Sequence, residues 1–103
     1  MRRDVFQAIA DPGRRAIIGL LAGTAMTPND LAAHFDISRP AVSKHLKILI
    51  ECGLVTVIQQ GRERRCSARL EGLAEVETWT AQYRRFWKGK LSDLERHLDG
   101  DSS

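Results

Sequence analysis

The amino-acid sequence predicts a mainly α-helical fold with one β-hairpin, in the order α-α-α-α-β-β-α of a winged helix-turn-helix. Two short amphipathic segments with helix-start signals meet within a few residues around Asp36, as in a helix-turn-helix. After Gly53 the hydrophobic pattern alternates, and from Leu73 it returns to a helical period. The 103 residues suffice for one core, so we predict a single domain over residues 1–99 and a frayed tail over 100–103.

Three helices are predicted before the turn. The first covers residues 4–10. Asp11 precedes Pro12 at the start of the second helix, and Thr27 precedes Pro28 at the start of the third. Asp and Thr side chains can accept a hydrogen bond from a free N–H of the first turn, and proline suits the first helical position because it has no N–H to leave unpaired.

The fourth helix, residues 38–52, is predicted to be the recognition helix of the helix-turn-helix. Ser38 is a suitable N-cap, and Gly53 follows the last helical residue. The tight turn before this helix often contains glycine, and Asp36 stands there instead. Asp tolerates the left-handed conformation better than most non-glycine residues, so we expect Asp36 to adopt it.

The fourth helix has an apolar and a polar face when its residues are placed about 100° apart. The positions expected to face the core are Val42, Leu46, Leu49 and Ile50. The outward positions are Pro40, Ser43, Lys44, Lys47 and Glu51, with Arg39 and His45 on the flanks. Such a helix fits the major groove of B-DNA, where Lys44 and Ser43 could bond base edges and Lys47 a phosphate. The alternative interpretation is an ordinary solvent-exposed helix.

The β-hairpin is predicted from strands at 54–59 and 64–70, joined by a turn that contains Gly61. The second strand alternates Arg65, Ser67 and Arg69 against Cys66, Ala68 and Leu70. We expect the hairpin to form a wing over residues 59–66, and its arginines to touch the DNA backbone or minor groove. These arginines are Arg62, Arg64 and Arg65.

The charge distribution alone would also fit a solvated basic face, but together with the helix-turn-helix and the hairpin it favours DNA binding. Residues 38–69 contain seven Lys or Arg and two Glu, whereas the rest of the chain is slightly acidic. A local basic region of this kind is the electrostatic footprint expected of a protein that binds a polyanion. The helix-turn-helix and the basic hairpin follow each other directly, which strengthens that reading.

The last predicted helix, residues 73–98, carries a long apolar stripe that a domain of this size cannot cover by itself. Only Gly89 is expected to interrupt it. We therefore predict that this helix binds a partner. Its predicted interface residues are Trp79, Tyr83, Phe86, Trp87, Leu91, Leu94 and Leu98.

Three segments resemble the ArsR/SmtB family of small bacterial winged-helix repressors, and in particular its SdpR-like autorepressor branch. They read "AIADPGRRAIIGLLA", "DLAAHFDISRPAVSKHLKILIECGLV" and "QQGRERRCSARL", and together they cover most of the chain. The resemblance implies a homodimer whose first and last helices form the interface, which adds Val5, Phe6 and Ile9 to the predicted interface residues. The dimer is expected on a pseudo-palindromic operator, with half-sites about one helical turn apart. The resemblance also implies a repressor that works without a small inducer, by autorepression or through a protein partner.

The resemblance further implies which residues contact DNA. In the recognition helix they are Ser38, Arg39, Pro40, Ser43, Lys44, His45 and Lys47, and in the wing they are Arg62, Arg64 and Arg65. His45 has a second interpretation, because its position on the flank could also place it half-buried and hydrogen-bonded within the protein.

We predict no metal site and no cofactor. Many relatives bind a metal through a Cys-x-Cys pair at the positions held here by Thr27 and Asn29, which supply no thiolate. Others use His and carboxylate ligands on the last helix, where this chain has one histidine with one aspartate a turn before it. Cys52 and Cys66 are expected to be buried and unreactive, and a redox-sensing repressor that uses either thiol is an alternative.

Other functional classes have little support in the sequence. We find no glycine-rich phosphate loop and no nucleophile with a plausible base, so an enzyme is not expected. No apolar run approaches the roughly 20 residues that cross a bilayer, and the N-terminus lacks the apolar region of a secretory signal, so we expect a cytoplasmic protein. A winged-helix module that binds other proteins is the main alternative, and it predicts an apolar or acidic recognition face.

Overall fold

The computed structural model describes residues 4–101, with side chains as far as residue 98, and has the predicted winged helix-turn-helix architecture. Four helices come first, namely α1 (Val5–Ile9), α2 (Pro12–Gly23), α3 (Pro28–Phe35) and α4 (Arg39–Glu51). Strands β1 (Val55–Gln60) and β2 (Glu63–Ala68) then form an antiparallel hairpin, followed by a short 3-10 helix at Leu70–Leu73. The chain ends in α5 (Ala74–Ala81) and α6 (Arg84–Asp101).

The predicted N-caps are present at the starts of α2, α3 and α4. Asp11 accepts the N–H of Arg14 at 2.9 Å, and the Ser38 hydroxyl accepts the N–H of Ala41 at 3.2 Å. At the start of α3 two reciprocal hydrogen bonds form. The Thr27 hydroxyl accepts from the N–H of Asp30, and the Asp30 carboxylate accepts from the N–H of Thr27, each at 3.1 Å. These bonds satisfy N–H groups that have no partner inside the helix, and so each helix begins where the sequence predicts.

The turn between α3 and α4 uses the predicted left-handed aspartate. Asp36 has φ 53° and ψ 48°, and its N–H donates to the carbonyl of Ala32, closing α3. At the far end of α4, Gly53 has φ 75° and ends the helix as predicted. Two well-capped helices joined by so short a turn hold the recognition helix in one orientation.

A single apolar core lies between α1, α2, α3, α4 and the hairpin. Its buried members are Val5, Ala8, Ile17, Ile18, Leu21, Leu31, Val42, Leu46, Leu49, Leu54, Val55 and Cys66. The prediction that Ile50 also faces the core is wrong, since 40% of this residue is exposed. It lies about 80° around α4 from Val42, at the edge of the buried arc, where it lines an open groove between α4 and the hairpin.

The hairpin pairs Val55 with Ala68 and Gln60 with Glu63, so that only two residues form the turn. Gly61 takes the first central position with φ 60°, the conformation that a type II′ turn requires there. The second strand ends at Ala68, two residues before the predicted end, because the chain turns there into the 3-10 helix.

A backbone bridge that the sequence did not predict joins the hairpin to the helix-turn-helix. The N–H of Met26 donates to the carbonyl of Cys66 at 3.0 Å, and the N–H of Cys66 donates to the carbonyl of Met26 at 2.8 Å. Met26 directly precedes the N-cap of α3. The wing and the start of α3 are therefore fixed to each other by two hydrogen bonds.

The prediction of one continuous helix over residues 73–98 is wrong, because the helix breaks between α5 and α6 at Gln82 and Tyr83. The Thr80 hydroxyl donates to the carbonyls of Val76 and Glu77 at 3.0 and 3.2 Å, and the N–H of Tyr83 donates to Thr80 three residues back, at 2.9 Å. Threonine hydroxyls that compete for helix carbonyls commonly bend helices. Gly89, the expected interruption, lies inside α6.

The frayed tail predicted over residues 100–103 stays a prediction. Residues 100 and 101 belong to α6, and residues 102 and 103 lie outside the described part of the chain.

Candidate nucleic-acid interface

The outward face of α4 carries polar and basic side chains, while its inward face is closed by the core. Val42, Leu46 and Leu49 are buried, which turns Ser43, Lys44 and Lys47 to the opposite side, where all three are exposed. Ser38, Arg39 and Pro40 at the start of the helix are exposed as well. The free N–H groups of a helix N-terminus add a partial positive charge to this end.

Arg39 is held in place by two hydrogen bonds. Its Nε donates to Oδ1 of Asn29 at 2.8 Å, and its Nη1 donates to Oγ of Ser43 at 2.7 Å. The four-residue spacing of Arg39 and Ser43 on one helix is visible in the sequence, because such residues are neighbours on a helix surface. The contact with Asn29 of α3 is not, since it depends on how the two helices cross.

His45 faces back into the protein. Its side chain is 25% exposed, and its Nδ1 lies 4.0 Å from Oδ2 of Asp11, the N-cap of α2. The N–H of Arg14 holds the pKa of Asp11 below its ordinary value against the opposing effect of desolvation, and nearby positive charge on His45 lowers the pKa further. Of the two interpretations of His45, the geometry favours the half-buried structural residue.

The three wing arginines do not form one cluster. Arg62 is exposed in the two-residue turn. Arg64 shares the strand face of Cys66 and lines a groove against α4. Arg65 lies on the other face, partly buried, and its Nη2 pairs with the Glu63 carboxylate at 3.1 Å. Arg62 and Arg64 are therefore the wing residues best placed to act together with α4.

A groove of about 310 Å³ separates α4 from the hairpin. Its polar rim consists of Arg39, Ser43, Lys47, Glu51 and Arg64, and its apolar part of Pro28, Leu46, Ile50, Val57 and Cys66. Four of the five rim residues can donate hydrogen bonds, and three carry positive charge. The groove and the exposed face of α4 together are called the basic surface below.

The thiols differ from each other in exposure. Cys66 is 1% exposed, and burial raises the pKa of its thiol above the ordinary value despite the opposing charges of Arg64 and Arg39. This disfavours the reactive thiolate. Cys52 is only half-buried, less than predicted, and its Sγ lies 3.3 Å from the carbonyl oxygen of Asp4.

The positions where metal-binding relatives carry thiolates have other contacts here. Thr27 caps α3, and Asn29 accepts the hydrogen bond from Arg39. Within the described residues, no group of three or more His, Cys, Asp or Glu side chains is arranged to hold a metal ion.

A second surface is apolar and lies on α5, on α6 and on the turn between them. Its exposed members, which we call the apolar stripe, are Trp79, Tyr83, Phe86, Trp87, Leu91, Leu94 and Leu98. Trp79 contacts Phe6 of α1 edge to face, with ring centroids 5.8 Å apart, so the stripe continues onto α1. Val5 does not belong to it, contrary to the prediction, because only 4% of this residue is exposed. Ile9 is half-buried against the core.

None of the helices in the described part of the chain is both long and apolar enough to cross a membrane.

The helix-turn-helix, the basic hairpin beside it and the terminal helices define a winged helix-turn-helix domain. Residues 11–57 match the family model described as "Bacterial regulatory protein, arsR family". The transcriptional repressor SdpR of Bacillus subtilis is 46% identical over 59 residues, which are 57% of this chain and 66% of SdpR. The HTH-type transcriptional regulator Rv2034 of Mycobacterium tuberculosis is 36% identical over 96 residues, 93% of this chain and 87% of Rv2034.

Solved structures agree with this classification. An ArsR family transcriptional regulator of known crystal structure has 38% sequence identity to this chain. The two structures superpose with a TM-score of 0.69, over 81% of this chain and 86% of that one. A homodimeric winged helix-turn-helix DNA-binding domain, Mb0332 of Mycobacterium bovis, shares the fold at 22% identity, with a TM-score of 0.64 over 79% and 75% of the two chains. The chain belongs to the ArsR family, and it is a DNA-binding transcriptional regulator and not an enzyme.

Proposed function

We propose that this regulator is a repressor that binds a pseudo-palindromic operator as a homodimer and reads its sequence with α4. The observation that carries the proposal is the basic surface, in which the exposed face of α4 and Arg64 of the wing line one groove. The relative SdpR, which is named as a repressor, supports the direction of regulation.

The chemistry of the α4 face suits base edges. Lys44 is exposed near the centre of that face and supplies the cationic donor that guanine O6 and N7 accept. The Ser43 hydroxyl accepts from Arg39 and keeps its own hydrogen for a base acceptor. Lys47, one turn further along and on the rim of the groove, is suited to a phosphate.

The wing supplies contacts that position the protein without reading sequence. Arg62 at the turn and Arg64 beside α4 can neutralise backbone phosphates, which raises affinity for any DNA sequence. The bridge between Met26 and Cys66 supports this assignment, since it holds the wing at a constant distance from α3 and α4.

The apolar stripe is the surface that we assign to the second protomer. Trp87 is 59% exposed and Leu91 is 63% exposed, and both belong to a continuous apolar face. A patch of this kind on a small protein marks an interaction site. Two copies related by a two-fold axis would cover each other's stripes and present two recognition helices to two half-sites.

We propose further that metal does not control release from DNA, because Thr27 and Asn29 already serve the N-cap and Arg39. The burial of Cys66 argues against the redox alternative for that thiol. The alternative of a protein-binding module predicted an apolar or acidic face on α4, and the exposed face is basic.

The proposal is tested by selecting bound duplexes from a DNA library with a randomised core of about 30 base pairs, long enough for two half-sites. The wild-type protein should select an inverted repeat, with affinity that falls steeply with salt. Lys44→Ala should lower discrimination at one base pair of each half-site by about 1–3 kcal/mol. The matched control is Lys88→Ala, which removes an exposed lysine from α6 and should leave the selected motif unchanged. Binding without any selected motif would contradict sequence-specific recognition by α4.

A further inference from the structure

The hydrogen bond between α3 and the first residue of α4 points to a role in base recognition. We propose that Asn29 positions the guanidinium of Arg39, so that base preference depends on a residue outside the recognition helix. The inference rests on the proposed function, because it requires α4 to read the major groove.

The two bonds of Arg39 fix the plane of its guanidinium. Asn29 holds the Nε side at 2.8 Å, and Ser43 holds Nη1 at 2.7 Å, from two different helices. An unrestrained arginine side chain has many rotamers, and ordering it on DNA costs conformational entropy. Two anchors restrict those rotamers before DNA is bound.

The anchors leave enough donors for a bidentate contact. A guanidinium has five N–H donors, and the two bonds seen in the described part of the chain use one on Nε and one on Nη1. The second Nη1 hydrogen and both Nη2 hydrogens are left for DNA. A bidentate arginine contact to guanine needs two such donors side by side.

Asn29 is itself held firmly. It lies in the first turn of α3, between Thr27 and Asp30 of the capping box, and the residue before Thr27 is bonded to β2. The amide oxygen of Asn29 also carries no formal charge. An aspartate there would form an ion pair with Arg39 and reduce its attraction to the polyanion, whereas an asparagine orients the guanidinium and keeps its positive charge available.

A purely structural role makes a different prediction. If the bond merely joined α3 to α4, its loss would lower the melting temperature and weaken binding to all DNA sequences alike. If it positions Arg39, its loss lowers the preference for one base pair and changes binding to unselected DNA little.

The test uses the full chain and the randomised duplex library, with Asn29→Ala, Arg39→Ala and the double variant. Arg39→Ala should lower the preference at one base pair of the half-site about tenfold. Asn29→Ala should lower it at the same base pair by about three- to fivefold, and it should have no further effect in the Arg39→Ala background. Asn29→Asp keeps the acceptor oxygen and should restore the preference, with weaker binding to every sequence. Melting curves show that each variant is folded, and Arg39→Lys replaces Arg39→Ala if the latter is not.

The outcomes separate the inference from the proposed function. If the Arg39 variants leave the selected motif unchanged, Arg39 reads no base and its positioning by Asn29 is wrong, while the proposed function, which assigns the base contacts to Lys44 and Ser43, is unaffected. If they change the motif and Asn29→Ala does not, only the positioning role is overturned. It is also overturned if the two substitutions have additive effects, since Asn29 would then act independently of Arg39.

Discussion

Adjacent arginines on β2 have different surroundings, because successive strand residues point to opposite faces. Arg64 lines the groove beside α4, whereas Arg65 is partly buried and paired with Glu63. Both were predicted to be equivalent DNA contacts. The same alternation that places Cys66 on the inner face of the strand also separates Arg64 from Arg65.

Replacing Arg64 with Ala should therefore weaken binding to all duplexes, by about three- to tenfold near 0.1 M salt, and lower the slope of log affinity against log salt by about one. Arg65→Ala is the matched control, since it removes the same charge from the neighbouring position. It should have the smaller effect on both quantities. Fluorescence anisotropy of a labelled duplex across a salt series measures them. Equal losses for both variants would show that the wing contacts DNA with its two faces.

Local interactions explain which residues could be predicted from the sequence. Asp11, Thr27 and Ser38 cap helices through bonds to residues three positions ahead, so the sequence contains both partners within one turn. Asn29 and Arg39 are ten residues apart, and their contact exists only because α3 and α4 cross. The same limit applies to His45, because its proximity to Asp11, which favours the structural interpretation, also depends on how two helices pack.

At the scale of elements, the start of α3 contains a pH-sensitive contact. The pKa of Asp30 lies below its ordinary value. The hydrogen bond from the backbone N–H of Thr27 lowers it most, the Thr27 hydroxyl lowers it less, and Arg65 adds a smaller effect in the same direction. The unfolded chain therefore binds a proton at Asp30 more readily than the folded chain does. Stability from this contact is present above about pH 4 and is lost as the pH falls through the folded pKa.

We expect Asp30→Asn to flatten this dependence. The asparagine oxygen can still accept the N–H of Thr27, but the side chain no longer titrates. Between about pH 5 and pH 3 the variant should lose less stability than the wild type, as measured by urea unfolding at each pH. Asp11, whose pKa is also lowered, should keep part of the acid sensitivity in both proteins. Identical losses in the two proteins would contradict the role of Asp30.

The break between α5 and α6 shows why element boundaries were less predictable than element types. Apolar residues recur at helical spacing through Tyr83, so periodicity alone predicts one helix. The Thr80 hydroxyl bonds two carbonyls of α5, and this competition is not part of the hydrophobic pattern. The position of Ile50 is a similar case, since its exposure depends on how far the hairpin reaches over α4.

At the scale of the whole molecule, the basic surface and the apolar stripe divide the proposed functions between DNA and a second copy of the chain. Trp87→Glu should produce monomers or insoluble protein, because a carboxylate would have to be buried in the apolar interface. Light scattering coupled to size exclusion measures the mass. Arg85→Glu is the control, since Arg85 lies about 160° around α6 from Trp87 and should leave the mass unchanged. A Trp87→Glu dimer would contradict the assignment of the stripe.

The bridge between Met26 and Cys66 has a consequence for the choice of DNA sites. It keeps the wing and α4 of one protomer together as a unit, so the spacing between base contacts and backbone contacts within a half-site is constant. In the proposed dimer the remaining variable is how far the second half-site is rotated around the DNA axis relative to the first. Inserting about five base pairs between two half-sites places the second on the opposite side of the duplex. Such a site retains every contacted base and still cannot be bound by both protomers at once.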